Sequence, residues 1–252
     1  MPDIPLPALS FEEAAKDYGE IRALHPLTLS VPAGGIASLV GPNGAGKTTA
    51  LGLVAGLLAP SAGRVLVFGI DPEVDPVGAK RRLALVPDRP WLWPRWTPRE
   101  TLRFVGAVHG MRLEPLEERI RSELLAFGID GAADRRNETL SHGTRQKVAL
   151  AQAFLHDPGL FLLDEPMVGL DPSAQRLLVR RLRERAASGA AVLLTTHQLS
   201  LAEEAADVVF VLSGGRLAGA GDPRAMTDPS TGRKGRLSDL FFDLVPSEAP
   251  RE

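Results

Sequence analysis

Gly41-Pro42-Asn43-Gly44-Ala45-Gly46-Lys47-Thr48-Thr49 follows the apolar run Ile36-Ala-Ser-Leu-Val40 and opens a stretch, 48–58, whose pattern reads as a helix. A glycine, four residues and then Gly-Lys-Thr, set between a buried strand and a helix, make a phosphate-binding loop. The glycines let backbone N–H groups wrap phosphate oxygens, and the helix N-terminus adds the positive end of a dipole. Lys47 is placed to pair with the β- and γ-phosphates of a nucleotide, and the Thr48 hydroxyl to join a Mg²⁺ shell. Downstream, Leu160-Phe-Leu-Leu-Asp-Glu-Pro166 ends an apolar strand in two carboxylates. In open α/β sheets the carboxyl ends of strands face the ligand. Asp164 is expected to hold Mg²⁺ and Glu165 to polarise an attacking water. As neighbours on a strand, the two side chains are expected to face opposite ways and divide that labour.

Around these segments strands and helices alternate. Arg64-Val-Leu-Val-Phe68, Leu83-Ala-Leu-Val86, Ala191-Val-Leu-Leu194 and Val208-Val-Phe-Val-Leu212 are further strands without clean polar alternation. That pattern predicts a parallel sheet covered on both faces. From about 97 to 157 the pattern is helical throughout: Thr97 with Glu100 forms a capping box. Leu113, Leu116, Ile120, Leu124 and Phe127 keep one helical stripe. The block reads as an α-helical lobe inserted in an α/β core. Residues 221–236, rich in Gly, Pro and charge, read as a linker. Leu237, Leu240, Phe241 and Leu244 then predict a short amphipathic helix. The segment 246–252 reads as a frayed end.

The 252 residues carry Lys+Arg 29 against Asp+Glu 31, for a net charge of −2, which gives no bulk electrostatic reason to bind nucleic acid. Hydrophobic content of 44% and charged content of 24% are those of a folded domain rather than a disordered chain. With no cysteine, a disulfide scaffold, thiol catalysis and cysteine-ligated metals are excluded, and a reducing cytoplasm is suited. The opening Met1-Pro-Asp-Ile-Pro-Leu-Pro-Ala lacks the charged start and apolar core of a secretory signal. Apolar runs such as Gly159-Leu-Phe-Leu-Leu163 fall far below the roughly 18–20 residues needed to cross a bilayer.

Leu140-Ser-His-Gly-Thr-Arg-Gln-Lys-Val148 resembles the signature segment of ATP-binding cassette (ABC) ATPases, and other elements of that family stand around it in order over about residues 9–220. Tyr18 lies where an adenine-stacking aromatic would be, Gly169-Leu-Asp171 looks like the D-loop, and Thr195-Thr-His197 like the switch histidine. The resemblance implies a P-loop NTPase (RecA-type) core with an inserted α-helical lobe and an N-terminal antiparallel β portion. The cassette would occupy 1–220, with linker and amphipathic helix over 221–252. It also implies a head-to-tail dimer, with itself or a related ATPase subunit, that sandwiches two ATP molecules with Mg²⁺. In that dimer Ser141 and Gly143 would meet the γ-phosphate held by the opposite subunit. Taken alone, Tyr18 is equally a plain core or surface aromatic, His197 a satisfied buried histidine and Ser141 a helix cap.

Two departures stand out. The family's signature usually reads Leu-Ser-Gly-Gly-Gln, whereas here it is Leu140-Ser-His-Gly-Thr144, a variation similar to the branch that powers exporters through separately encoded membrane subunits. The tail helix looks like that branch's final helix. Where the family commonly has Pro-Gln, this chain has Pro87-Asp88, a shorter, charged oxygen donor that either reaches the metal or only solvates its loop. The resemblance thus implies an ATPase at the cytoplasmic face of a membrane, attached peripherally to a membrane-spanning transporter subunit and not to nucleic acid. The competing reading is a stand-alone accessory ABC ATPase. All three tryptophans fall in Trp91-Leu-Trp-Pro-Arg-Trp96, a proline-broken loop whose rings either anchor that membrane subunit or close the joint between lobes.

Overall fold

The computed structural model describes residues 6–228 and 231–245; most of the opening segment tested for a signal, and the end at 246–252, lie outside them. The chain starts with strands β1 (Leu9–Tyr18) and β2 (Ile21–Val31). It then enters β3 (Ile36–Val40), helix α1 (Lys47–Val54), β4 (Ala62–Val67), α2 (Pro76–Arg81) and β5 (Leu83–Val86). Three helices follow: α3 (Pro98–Val108), α4 (Leu113–Ala126) and α5 (His142–Leu155). The alternation resumes with β6 (Leu160–Asp164), α6 (Pro172–Ala187), β7 (Ala191–Thr196), α7 (Leu199–Ala205), β8 (Val208–Ser213) and β9 (Arg216–Gly221). The tail carries β10 (Met226–Thr227), β11 (Lys234–Gly235) and α8 (Leu237–Leu244).

The main sheet runs β5-β6-β7-β3-β8-β9, parallel except for the antiparallel edge strand β9. Every residue of β3, β6 and β7 is buried, as a sheet packed on both faces requires. One apolar cluster lies between this sheet and the helical lobe; a second joins the opposite face to α1 and the β2-β1-β4 sheet. The α/β core, the inserted helical lobe and the N-terminal antiparallel portion are therefore all present. Pro26 sits within β2, the edge strand of the smaller sheet, where a missing N–H costs no ladder bond.

In the lobe, Thr97 accepts the Glu100 N–H while the Glu100 carboxylate accepts the Thr97 N–H, closing the capping box over α3. Leu116, Ile120, Leu124 and Phe127 are buried, but Leu113, the first residue of α4, is exposed. The helix expected over 48–58 ends at Val54, where the chain turns through Gly56 at positive φ. The lobe is tied to the core by Arg181 of α6, which grips Glu123 of α4 in two bonds of 2.6 and 2.8 Å and lies over the rings of Phe127 and Phe154. The stretch read as a linker holds the β10–β11 hairpin, pinned by the buried Met226. Helix α8 then buries Leu237, Leu240 and Leu244 against the core.

Candidate functional site

The carboxyl ends of β3, β5 and β6 surround a cavity of about 260 Å³. Asn43 to Thr49, Asp88, Asp164, Glu165 and Ala23 line it. Gly46 caps α1 at φ 101, and a Cβ there would meet the Ala23 carbonyl oxygen at 2.9 Å, so the loop demands glycine. Lys47 is 8% exposed, and its ammonium donates to the carbonyls of Gly41 (2.7 Å) and Pro42 (3.0 Å). Burial pushes its pKa down, against the opposing charges of Glu165 and Asp164. Gly41 and Pro42 thus hold the lysine rather than line the cavity.

Asp164 is buried at the end of β6. Its carboxylate accepts the Thr48 hydroxyl at 2.9 Å on one oxygen and the Thr195 hydroxyl on the other. Glu165 follows at φ 47, a left-handed conformation uncommon for a residue with a side chain. That turn cancels the strand alternation, so both carboxylates line one cavity instead of facing opposite ways. Its N–H is held by the Thr195 carbonyl and hydroxyl, each at 3.2 Å, which fixes the strained turn. His197 Nδ1 lies 2.8 Å from Glu165 Oε1.

Thr48, Asp164 and Asp88 would offer hard oxygen donors to a divalent metal. Among the described residues no group of three or more His, Cys, Asp or Glu converges as a metal cage. A few oxygen donors completed by phosphates and water suit Mg²⁺. Asp88 lies on the cavity wall, its carboxylate 4.0 Å from the Arg89 guanidinium.

The other expected residues lie apart. Tyr18 is 47% exposed at the end of β1, under the Lys16 ammonium at 5.4 Å, and does not line the cavity. Ser141 caps α5, its hydroxyl accepting the Thr144 N–H at 3.2 Å and lying 2.9 Å from the Thr144 hydroxyl. Gly143 packs against the 167–171 loop so closely that a Cβ would sit 2.3 Å from the Gly169 carbonyl oxygen. Asp171 caps α6; the Ser173 hydroxyl, Lys147 ammonium and Ala174 N–H together hold its carboxyl far below the usual range. The signature turn is therefore clamped to the loop that leaves Glu165, yet Ser141 and Gly143 line no part of this chain's own cavity.

Two contributors escape sequence reasoning. Ala23 is a small residue without a chemical signal. Thr195 was legible only through its register opposite Asp164 on the adjacent strand. The loop bearing the tryptophans buries Leu92 and stacks Trp93 on Trp96 at 4.5 Å, both edge-on to Phe104, while Trp91 is 70% exposed. Its backbone is bolted to the Asn137 side chain and to the N–H groups of Asn137 and Glu138.

The ABC transporter family model matches residues 24–168. The Nod factor export ATP-binding protein I of Rhizobium etli is 35% identical over 226 residues, covering 89% of this chain and 71% of that protein. Its counterpart from Cupriavidus pinatubonensis is 36% identical over 234 residues, covering 91% and 72%. Among solved structures, an ATP-binding subunit of an ABC transporter superposes with a TM-score of 0.87 at 32% identity, over 94% of this chain and 99% of that one. A dimeric ATP-binding cassette in a post-hydrolysis state with ADP and Pi superposes with a TM-score of 0.76 at 25% identity, over 84% and 97%.

Proposed function

Since the chain belongs to the ABC transporter family and is an ATPase of that family, we propose that it powers export by a separate membrane subunit through ATP-driven head-to-tail dimerisation. The observation that carries this reading is the cavity in which the phosphate loop, Asp164, Glu165 and the Glu165–His197 pair meet.

ATP enters with its phosphates on the loop N–H groups, and the Lys47 ammonium turns from its two carbonyls to the β- and γ-phosphate oxygens. Thr48 and Asp164 would hold Mg²⁺, with Asp88 as a third oxygen donor, and the metal would supply neutralisation of phosphate charge. Glu165, oriented by His197, draws the proton from a water as its oxygen attacks the γ-phosphorus, and the bond to the bridging oxygen of ADP breaks. Tyr18, half-exposed beside Lys16, offers a face on which a base can stack. Ser141 and Gly143 line no part of their own subunit's cavity, which supports their use on the γ-phosphate of a second copy.

Similarity to the Nod factor export ATP-binding proteins of Rhizobium etli and Cupriavidus pinatubonensis, together with the tryptophan loop, supports an exporter. Among the described residues no helix is long and apolar enough to cross a membrane; in this reading a separate membrane subunit forms the path and the chain sits peripherally at its cytoplasmic face. Trp93 and Trp96 close on Phe104, leaving Trp91, exposed and only edge-on to Trp93 at 5.2 Å, as the docking anchor, with the exposed Arg95 on the same loop. Purifying the chain from gently solubilised native membranes, and identifying what comes with it, tests this. Recovery of a polytopic membrane protein is expected, and Trp91→Ala should weaken its retention by about 2 kcal/mol without slowing isolated hydrolysis. Recovery with no membrane protein overturns the exporter reading.

A further inference from the structure

We propose that Glu203 is a positioning residue for hydrolysis: with the C-terminal helix α8 it holds helix α7, and through α7 the switch residue His197, in register with Glu165. This rests on the reading of Glu165 and His197 given above.

His197 cannot be held by its own packing, because its side chain is 56% exposed. Among the described residues its ring makes one hydrogen bond, to Glu165. Its position is therefore set by the backbone, and that backbone leads within two residues into α7 (Leu199–Ala205). A helix this short has little stability of its own and keeps its place by tertiary contacts. Helix α7 packs on β3, on β7 and on α8, and its Leu201, Ala202 and Ala205 belong to the apolar cluster that also takes in Leu237, Leu240 and Leu244 of α8.

Glu203 locks that contact. It is a carboxylate only 7% exposed, in a helix otherwise buried through small and apolar groups. One oxygen accepts the Ser238 N–H at 3.0 Å, and the other takes the guanidinium of Arg236. Ser238 is the second residue of α8, so its N–H has no acceptor within its own helix, and Glu203 supplies one from across the interface. Such a bond is directional, whereas the leucine contacts alone would let α7 slide. Glu203 lines no part of the nucleotide cavity, so the latch is expected to set turnover and leave ATP binding alone.

The test compares Glu203→Leu, which removes both bonds and keeps an apolar filling, with Glu203→Gln, which keeps an acceptor for the Ser238 N–H. Each is made in the wild-type and the His197→Ala background, reading kcat and KM for ATP together with thermal unfolding. Glu203→Leu should lower kcat about tenfold with KM for ATP within about twofold, and Glu203→Gln should recover most of it. In the His197→Ala background Glu203→Leu should cost nothing further, since the group it positions is gone. If Glu203→Leu fails to unfold cooperatively, Arg236→Ala, a surface change on the same bond, is read in its place. Equal losses in both backgrounds, or a well-folded Glu203→Leu with normal kcat, overturn the proposal. A slow His197→Ala beside a normal Glu203→Leu sinks this inference alone, whereas His197→Ala at the wild-type rate sinks the reading beneath it.

Discussion

The two ends of the main sheet carry the same kinds of side chain and use them differently. At the carboxyl end Asp164 and Glu165 face an open cavity, with the buried Lys47 beside them and helix α1 presenting its N-terminus. At the amino end a cavity of about 440 Å³ is lined by Arg81, Arg82, Arg185 and Asp157. There Asp157 is neutralised by both Arg119 and Arg185. Arg81, Arg82 and Arg185 stand at the last turns of α2 and α6, where cations answer the negative ends of helix dipoles. The histidines differ in the same sense: His197 meets a carboxylate, while His109 and His156 stack on one another at 3.7 Å. Residue type does not separate a working site from a structural one. What separates them is whether the fold has already satisfied each charge.

The sharpest way to break this comparison is at Glu165. Glu165→Gln should keep ATP binding and lose hydrolysis by about 10²–10⁴-fold, measured as phosphate release, and it should accumulate as an ATP-bound dimer in sedimentation. Thermal stability should stay level or rise, because the strained carboxylate serves chemistry rather than folding. Hydrolysis near the wild-type rate would remove Glu165 from its role. Lys47→Ala comes next, with ATP affinity falling on the order of tenfold or more in titration calorimetry, since a buried charge-assisted contact is lost. A smaller effect belongs to Asp88: Asp88→Asn should raise the Mg²⁺ concentration for half-maximal hydrolysis a few-fold, and Asp88→Gln should restore much of the activity. Unchanged Mg²⁺ dependence in both would leave Asp88 as a solvated loop residue.

How much of this was legible depended on where information lies along the chain. The phosphate loop and the strand ending in Asp164-Glu165 were readable because a local spacing and its chemistry coincide. Strand β1 was not, since Glu12-Glu13-Ala14-Ala15-Lys16 favours a helix by intrinsic propensity. Pairing with β2 on one side and β4 on the other overrides that preference, at the cost of register shifts and a positive φ at Glu13. Strand β9 is disguised by its own glycines, although Gly214-Gly215 between two runs is a hairpin signal. The shared orientation of Asp164 and Glu165 was illegible for a different reason. It depends on one left-handed residue held by Thr195 of another strand, a contact no local pattern encodes.

The amino end supplies the smallest effects. Asp157→Asn should lower stability by about 1 kcal/mol, since two partly exposed guanidiniums lose their shared partner, while hydrolysis is unchanged. A loss of hydrolysis comparable to that of Glu165→Gln would erase the distinction between the ends. Weaker still is a pH effect at His156. Burial first, and then the charge of His109, push its pKa below the ordinary value, against smaller opposing contributions from the Leu83 and Gln152 carbonyls and from Asp157. His109 is likewise lowered by burial and by Arg81. Between the lowered folded pKa and the unfolded value of about 6.5, the unfolded chain binds more protons. The stability associated with these rings is therefore fully present above about pH 6.5 and is lost as pH falls through the folded value. Urea midpoints at pH 7.5 and 5.5 should show the drop, at less than the roughly 2–5 kcal/mol of a core deletion. In His156→Gln, which cannot take up the proton, the two midpoints should draw together, and an undiminished drop there would place the titrating group elsewhere.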